Sequence, residues 1–73
     1  MSIAKRIIEK QITDQIGNVV VLDVEFDEFG VCVELQGDIT PQQLKELESS
    51  EGFHDDGFFF GNRNLVRNFT HVE

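Results

Sequence analysis

Cations are scarce in this 73-residue chain: six lysines and arginines stand against fourteen acids, a formal net charge of −8. Phosphate binding needs clustered positive charge, so the balance argues against nucleic acid as a direct ligand. It favours a basic protein partner instead. Cysteine occurs once, at Cys32, which leaves no internal disulfide. No apolar run is long enough for a membrane span or a signal peptide, so no membrane role is expected. A soluble protein of a reducing, cytoplasmic compartment is the expectation.

Signatures of chemistry are also missing. The chain contains no C-x-x-C, no H-x-x-x-H and no glycine-rich phosphate loop. Zinc and nucleophilic sites need ligands or a base at recognisable spacing. His54, Asp55 and Asp56, with His71 and Cys32, are the sole candidates for a metal or catalytic cluster. Cys32 reads more simply as a small hydrophobe and His54 as a surface residue. No cofactor is implied, and a chain this short leaves little room for a pocket. The expectation is therefore that the protein is not an enzyme. Asp23, Glu25, Asp27 and Glu34 fall at positions one, three, five and twelve of a calcium-loop spacing. Position six, which requires Gly, is Glu28, so the match fails.

What is present is ordinary globular composition, 40% hydrophobic and 27% charged, sufficient for one small domain over residues 1–73. Its modest core predicts modest stability. The acids are unevenly placed. From Asp14 to Asp56 there are twelve acids and one base, Lys45, a local balance of −11, while both ends carry the remaining bases.

The stretch Val19 to Gln36 organises the rest. Val20, Leu22, Val24 and Phe26 alternate with Val19, Val21, Asp23 and Glu25, and Val31, Val33 and Leu35 alternate with Cys32, Glu34 and Gln36. Period two is the pattern of a strand with one buried face. Asp27-Glu28-Phe29-Gly30 supplies a four-residue turn whose Gly can take a positive φ. Pairing Phe26 with Val31 sets Val24 against Val33 and Leu22 against Leu35, all inward. The same register opposes Asp23 to Glu34 and Glu25 to Cys32 on the other face. Like charges directly opposed across strands destabilise, so this face should be wet or should meet cations.

Helices flank the hairpin. Ser2 to Ile16 carries Ile3 and Ile7 in one i, i+4 row and Ile8, Ile12 and Ile16 in another, read together as a broad core face. Ser2 can cap its start, and Gly17 with Asn18 its end. A second helix opens with Thr40 as N-cap, Pro41 at the first helical position and Gln43 completing a capping box. It ends near Ser49 to Gly52. Glu51 to Gly57 reads as a loop with Phe53 tucked inward. Phe58 to Phe60 and Leu65 to Val72 read as a further strand pair around Gly61-Asn62-Arg63-Asn64, with Phe58, Phe60, Leu65 and Phe69 assigned to the core.

The expected fold is α+β, a four-stranded antiparallel sheet with two helices on one face in the order α-β-β-α-β-β. Val19, Val21, Phe59, Val66 and Val72 then lie on the uncovered face beside the acidic row. A mixed apolar and acidic surface of that kind suggests a protein interface. The partner-binding residues expected from the sequence are Asp23, Glu25, Asp27, Glu28, Glu34, Val21 and Phe59. The functional expectation is an inhibitor or antagonist that occupies the basic surface of a nucleic-acid-binding type of protein, in its strongest form by nucleic-acid mimicry. The alternative is a homo-oligomeric structural or regulatory subunit, for instance a homodimer, pairing through the open face by way of Val19, Val21, Phe59 and Val66.

Overall fold

A computed structural model of the chain describes residues 3–68. The elements are α1 (Ile3–Gln15), β1 (Val20–Phe26), β2 (Gly30–Gln36), α2 (Pro41–Glu51), β3 (His54–Phe59) and β4 (Asn62–Asn68). The strands form one antiparallel sheet in the order β1-β2-β4-β3, with β2 and β4 inside. Helix α1 packs on β1 and on α2, and α2 packs toward β3. This is the α+β arrangement expected from the sequence. Ser2, Phe69, His71 and Val72, to which the sequence assigned roles, lie outside the described residues.

Among the described residues the core is a single cluster of eleven buried apolar residues drawn from every layer. Ile8, Ile12 and Ile16 come from α1 and the residue following it, Leu47 from α2, Val19 from the residue before β1, and Val24, Val31, Val33, Leu35 and Leu65 from the sheet, with Phe53 closing the α2 end. Burial of such side chains contributes about 1.5–3 kcal/mol each against chain entropy. Ile3 and Ile7 are not part of it: Ile3 is 77% exposed and Ile7 about half. At 3.6 residues per turn the two isoleucine rows are centred roughly 160° apart. A sheet on one side of the helix covers one row, and the longer row wins.

The second helix forms as its punctuation requires. The Gln43 amide donates to Thr40 Oγ1 at 3.1 Å, and the Thr40 amide donates to Gln43 Oε1 at 2.9 Å, which satisfies two otherwise orphaned donors. Gly52 ends the helix in the left-handed region at φ 75°. The chain can then reverse immediately, and Phe53 is fully buried as expected.

In the first hairpin Phe26 pairs with Val31, Val24 with Val33, Glu25 with Cys32 and Asp23 with Glu34, the register derived above. A bulge intervenes between Val21 and Asp23, so Leu35 faces Val21 rather than Leu22. One extra residue reverses the faces that precede it. Val19 is therefore buried and Val21 packs against the core, while Val20 and Leu22 are exposed. The turn also differs. Asp27 Oδ1 accepts from the Phe29 and Gly30 amides, both at 2.8 Å, so an Asx turn reverses the chain. Gly30 is the first residue of β2, paired with Asn68. Its role is steric: a Cβ there would overlap the Arg67 carbonyl oxygen on β4.

The second hairpin departs further. β3 runs from His54 to Phe59, so residues 54–57 are strand rather than loop, and the turn is the two residues Phe60 and Gly61 instead of Gly61 to Asn64. Phe59 pairs with Asn62 and Phe58 with Arg63, then a bulge separates Phe58 from Asp55, which pairs with Leu65. Leu65 is buried as expected, whereas Phe58 and Phe60 are not in the core.

Candidate protein interface

Strand pairing fixes what the face opposite the helices carries. Directly paired residues share a face, so Asp23, Glu34 and Asn64 form one row across β1, β2 and β4. Glu25, Cys32, Val66 and His54 form the next. Asp56 lies in the β3 bulge on the same side, close enough for its charge to act on Cys32. Four carboxylates thus come from three strands. Neighbouring strands are about 4.8 Å apart and alternate residues along a strand about 6.7 Å. The group spans a patch of roughly 14 by 7 Å on that geometry.

Among the described residues Lys10 pairs with Asp14 and Arg63 with Asp55, and neither acid belongs to this patch. The Cys32 thiol registers the field of the nearby acids. Its pKa is raised, by partial burial first and then by the charges of Asp27, Asp56 and Glu25. A protonated thiol is a poor nucleophile. Cys32 and His54 stand two strands apart, about 10 Å, too far for one to activate the other. Among the described residues no group of three or more His, Cys, Asp or Glu side chains could hold a metal ion.

The residues expected to bind a partner are thus distributed unevenly. Asp23, Glu25 and Glu34 share the outer face. Asp27 is engaged in the Asx turn at the hairpin tip, and Glu28 is exposed beside it. Phe59 is exposed on the outer face at the opposite end of the sheet. Val21 is corrected: the bulge turns it inward, half-buried against the core. The same inversion removes Val19 from the outer face, so self-pairing through Val19 and Val21 loses two of its four residues. Val20 and Leu22 take their place, and no alternation in the run Val19-Val20-Val21-Leu22 distinguishes the two sets. Asp56 was missed because its neighbours read as a loop.

Asp55 belongs to the other face and to a different task. Arg63 Nη1 donates to Asp55 Oδ2 at 2.7 Å, and the guanidinium carbon lies 4.4 Å from the centre of the Phe58 ring. The Gly57 amide donates to Asp55 Oδ1 at 2.9 Å. That backbone bond is the main cause, followed by Arg63, that holds the Asp55 carboxyl below its ordinary value against the opposing effect of burial. A depressed folded-state pKa stabilises the fold above the unfolded value of about 3.9 and ceases to do so as pH falls through the folded one. Thermal midpoints measured from neutrality down to about pH 2 should therefore fall more steeply below pH 4 in the parent than in Asp55→Asn. Parallel curves would contradict this assignment.

No protein-family model matches this chain, and neither does any curated protein or solved structure.

Proposed function

We propose that the chain is a non-catalytic interaction protein whose outer sheet face occupies the basic surface of a partner protein, acting as its inhibitor or antagonist in a cytoplasmic setting. One observation carries the reading. Asp23 and Glu34 are directly opposed across β1 and β2 on the sheet face opposite α1 and α2, with Glu25 and Asp56 beside them. Opposing two carboxylates costs stability in the free protein. A cationic surface placed over them converts that cost into attraction and accelerates encounter.

Carboxylate spacing limits how far mimicry of nucleic acid extends. A duplex presents one charge per about 1.7 Å of axis, whereas this patch offers four over roughly 14 Å. The face can stand in for a short run of phosphates, as a nuclease or polymerase site would hold, and not for an extended duplex.

The test is affinity capture from a cell extract at low salt with the parent and Asp23→Lys/Glu34→Lys side by side. The parent should retain a basic protein that raised salt releases. The variant should not, while its unfolding free energy stays within the range of a surface substitution, about 0.5 kcal/mol. Equal retention by both proteins would refute the acidic face as the site. A dimer that persists at high salt would favour self-association.

A further inference from the structure

We infer that Phe59 and Phe60, at the tip of the second hairpin, are the apolar anchor with which this chain enters a recess on a basic protein partner. The partner's charge rests on the acidic-face reading above; the anchor rests on separate observations. Phe60 sits at φ 54° and Gly61 at φ 80°, so both central residues of the two-residue turn have positive φ. That turn is best made by Asn-Gly. An aromatic residue in the left-handed region is an outlier, and strain of this kind persists where another requirement fixes the residue.

The fold itself recovers little of that cost. Phe60 is 87% exposed, and its ring contact is an edge-to-face one with Phe59, centroids 4.4 Å apart. Phe59 is 61% exposed. Phe58 is otherwise occupied, stacked by the Arg63 guanidinium that Asp55 holds. The clamp fixes the strand just before the tip, so the two free rings are presented in a pre-organised geometry, the arrangement that lowers the entropic cost of binding. Large aromatic side chains on a rigid support are the usual anchors of protein interfaces.

The surroundings select the partner. Val20 pairs with Gln36 in β1 and β2, and Phe59 pairs with Asn62 in β3 and β4, which places Val20 and Phe59 in the same terminal row of the outer face. Asp23 and Glu34 occupy the next row, with Asp56 nearby on β3. The complementary surface is an apolar recess bordered by lysines or arginines. An anionic lipid surface would be repelled by these acids, and a second copy brings the same net charge of −8.

The test is a selection of random peptides displayed on phage against the immobilised full chain, with Phe60→Asn and Asp23→Lys/Glu34→Lys as parallel baits. Selected peptides should combine Lys or Arg with large apolar residues and should bind each variant at least tenfold more weakly. Phe60→Asn should melt no lower than the parent, because Asn suits the turn. Basic peptides indifferent to Phe60→Asn overturn the anchor and leave the acidic-face reading standing. Apolar peptides held equally by Asp23→Lys/Glu34→Lys overturn the basic partner and that reading together. A library that yields no Phe60-dependent binder overturns the proposal. So does a fall in melting temperature of more than about 5 °C, which would make Phe60 a structural residue. Phe60-dependent flotation with phosphatidylcholine–phosphatidylglycerol vesicles, or a Phe60-dependent dimer in sedimentation, overturns it in favour of a membrane or a second copy.

Discussion

Val33→Asp is expected to leave the chain unfolded at room temperature. Val33 is completely buried in an interior strand, flanked by Val24 on β1 and Leu65 on β4. A carboxylate there loses its hydration, and among the described residues no buried one is polar or charged to receive it. The cost of burying an unpaired charge is several kcal/mol even after relaxation. A domain of this size has about 5 kcal/mol in total to lose. Far-UV circular dichroism and amide dispersion in NMR would read the result. A folded variant would show that the core centre admits water, contrary to the burial described here.

Gly30→Val is expected to lower stability by about 3 kcal/mol, a fall of roughly 15 °C in thermal midpoint for a domain of this length. The added side chain meets backbone rather than a mobile side chain. Beyond the Arg67 carbonyl oxygen, Asn68 Cα lies 2.9 Å and Arg67 C 3.0 Å from the position of the new Cβ. Relief requires β4 to move away from β2, which would disturb Arg67, whose guanidinium carbon lies 4.9 Å above the Phe53 ring. The effect should thus spread to the α2 end of the core, visible as faster exchange of the Phe53 amide, which donates to the Leu47 carbonyl. A variant that melts with the parent would mean that β2 and β4 are not so closely apposed.

Some parts of the fold could be read from the chain and others could not. The register from Val24 to Val33 was legible because apolar and charged residues alternate strictly there, and one slip would have buried Asp23 and Glu25. The α2 cap was legible because Thr40, Pro41 and Gln43 each have a distinct local role. Asp23, Glu25 and Glu34 on the outer face followed directly from the hairpin. By contrast, Val19 to Leu22 is apolar throughout, so nothing local says which residues turn inward or where a bulge falls. The second hairpin misled for the opposite reason: His54, Asp55 and Asp56 have turn composition but are held in a strand by pairing with β4. Asn62 and Asn64 resemble a turn but lie within β4, and Phe60 occupies a turn position that aromatic residues rarely take. The two isoleucine rows of α1 were both candidate core faces until the sheet's position chose one.

What the amino-acid sequence determined by itself is therefore the order of elements, the inner strip of the first hairpin, the caps of α2 and the acidity of the outer face. These rest on interactions between residues near in sequence, whose periodicity and chemistry carry the information. Tertiary structure alone decided the inversion at Val21, the position of β3, the burial of one isoleucine row and the presentation of Phe59 and Phe60. Each of these depends on which surface a residue meets across the fold, and a residue's own neighbours along the chain do not specify that surface.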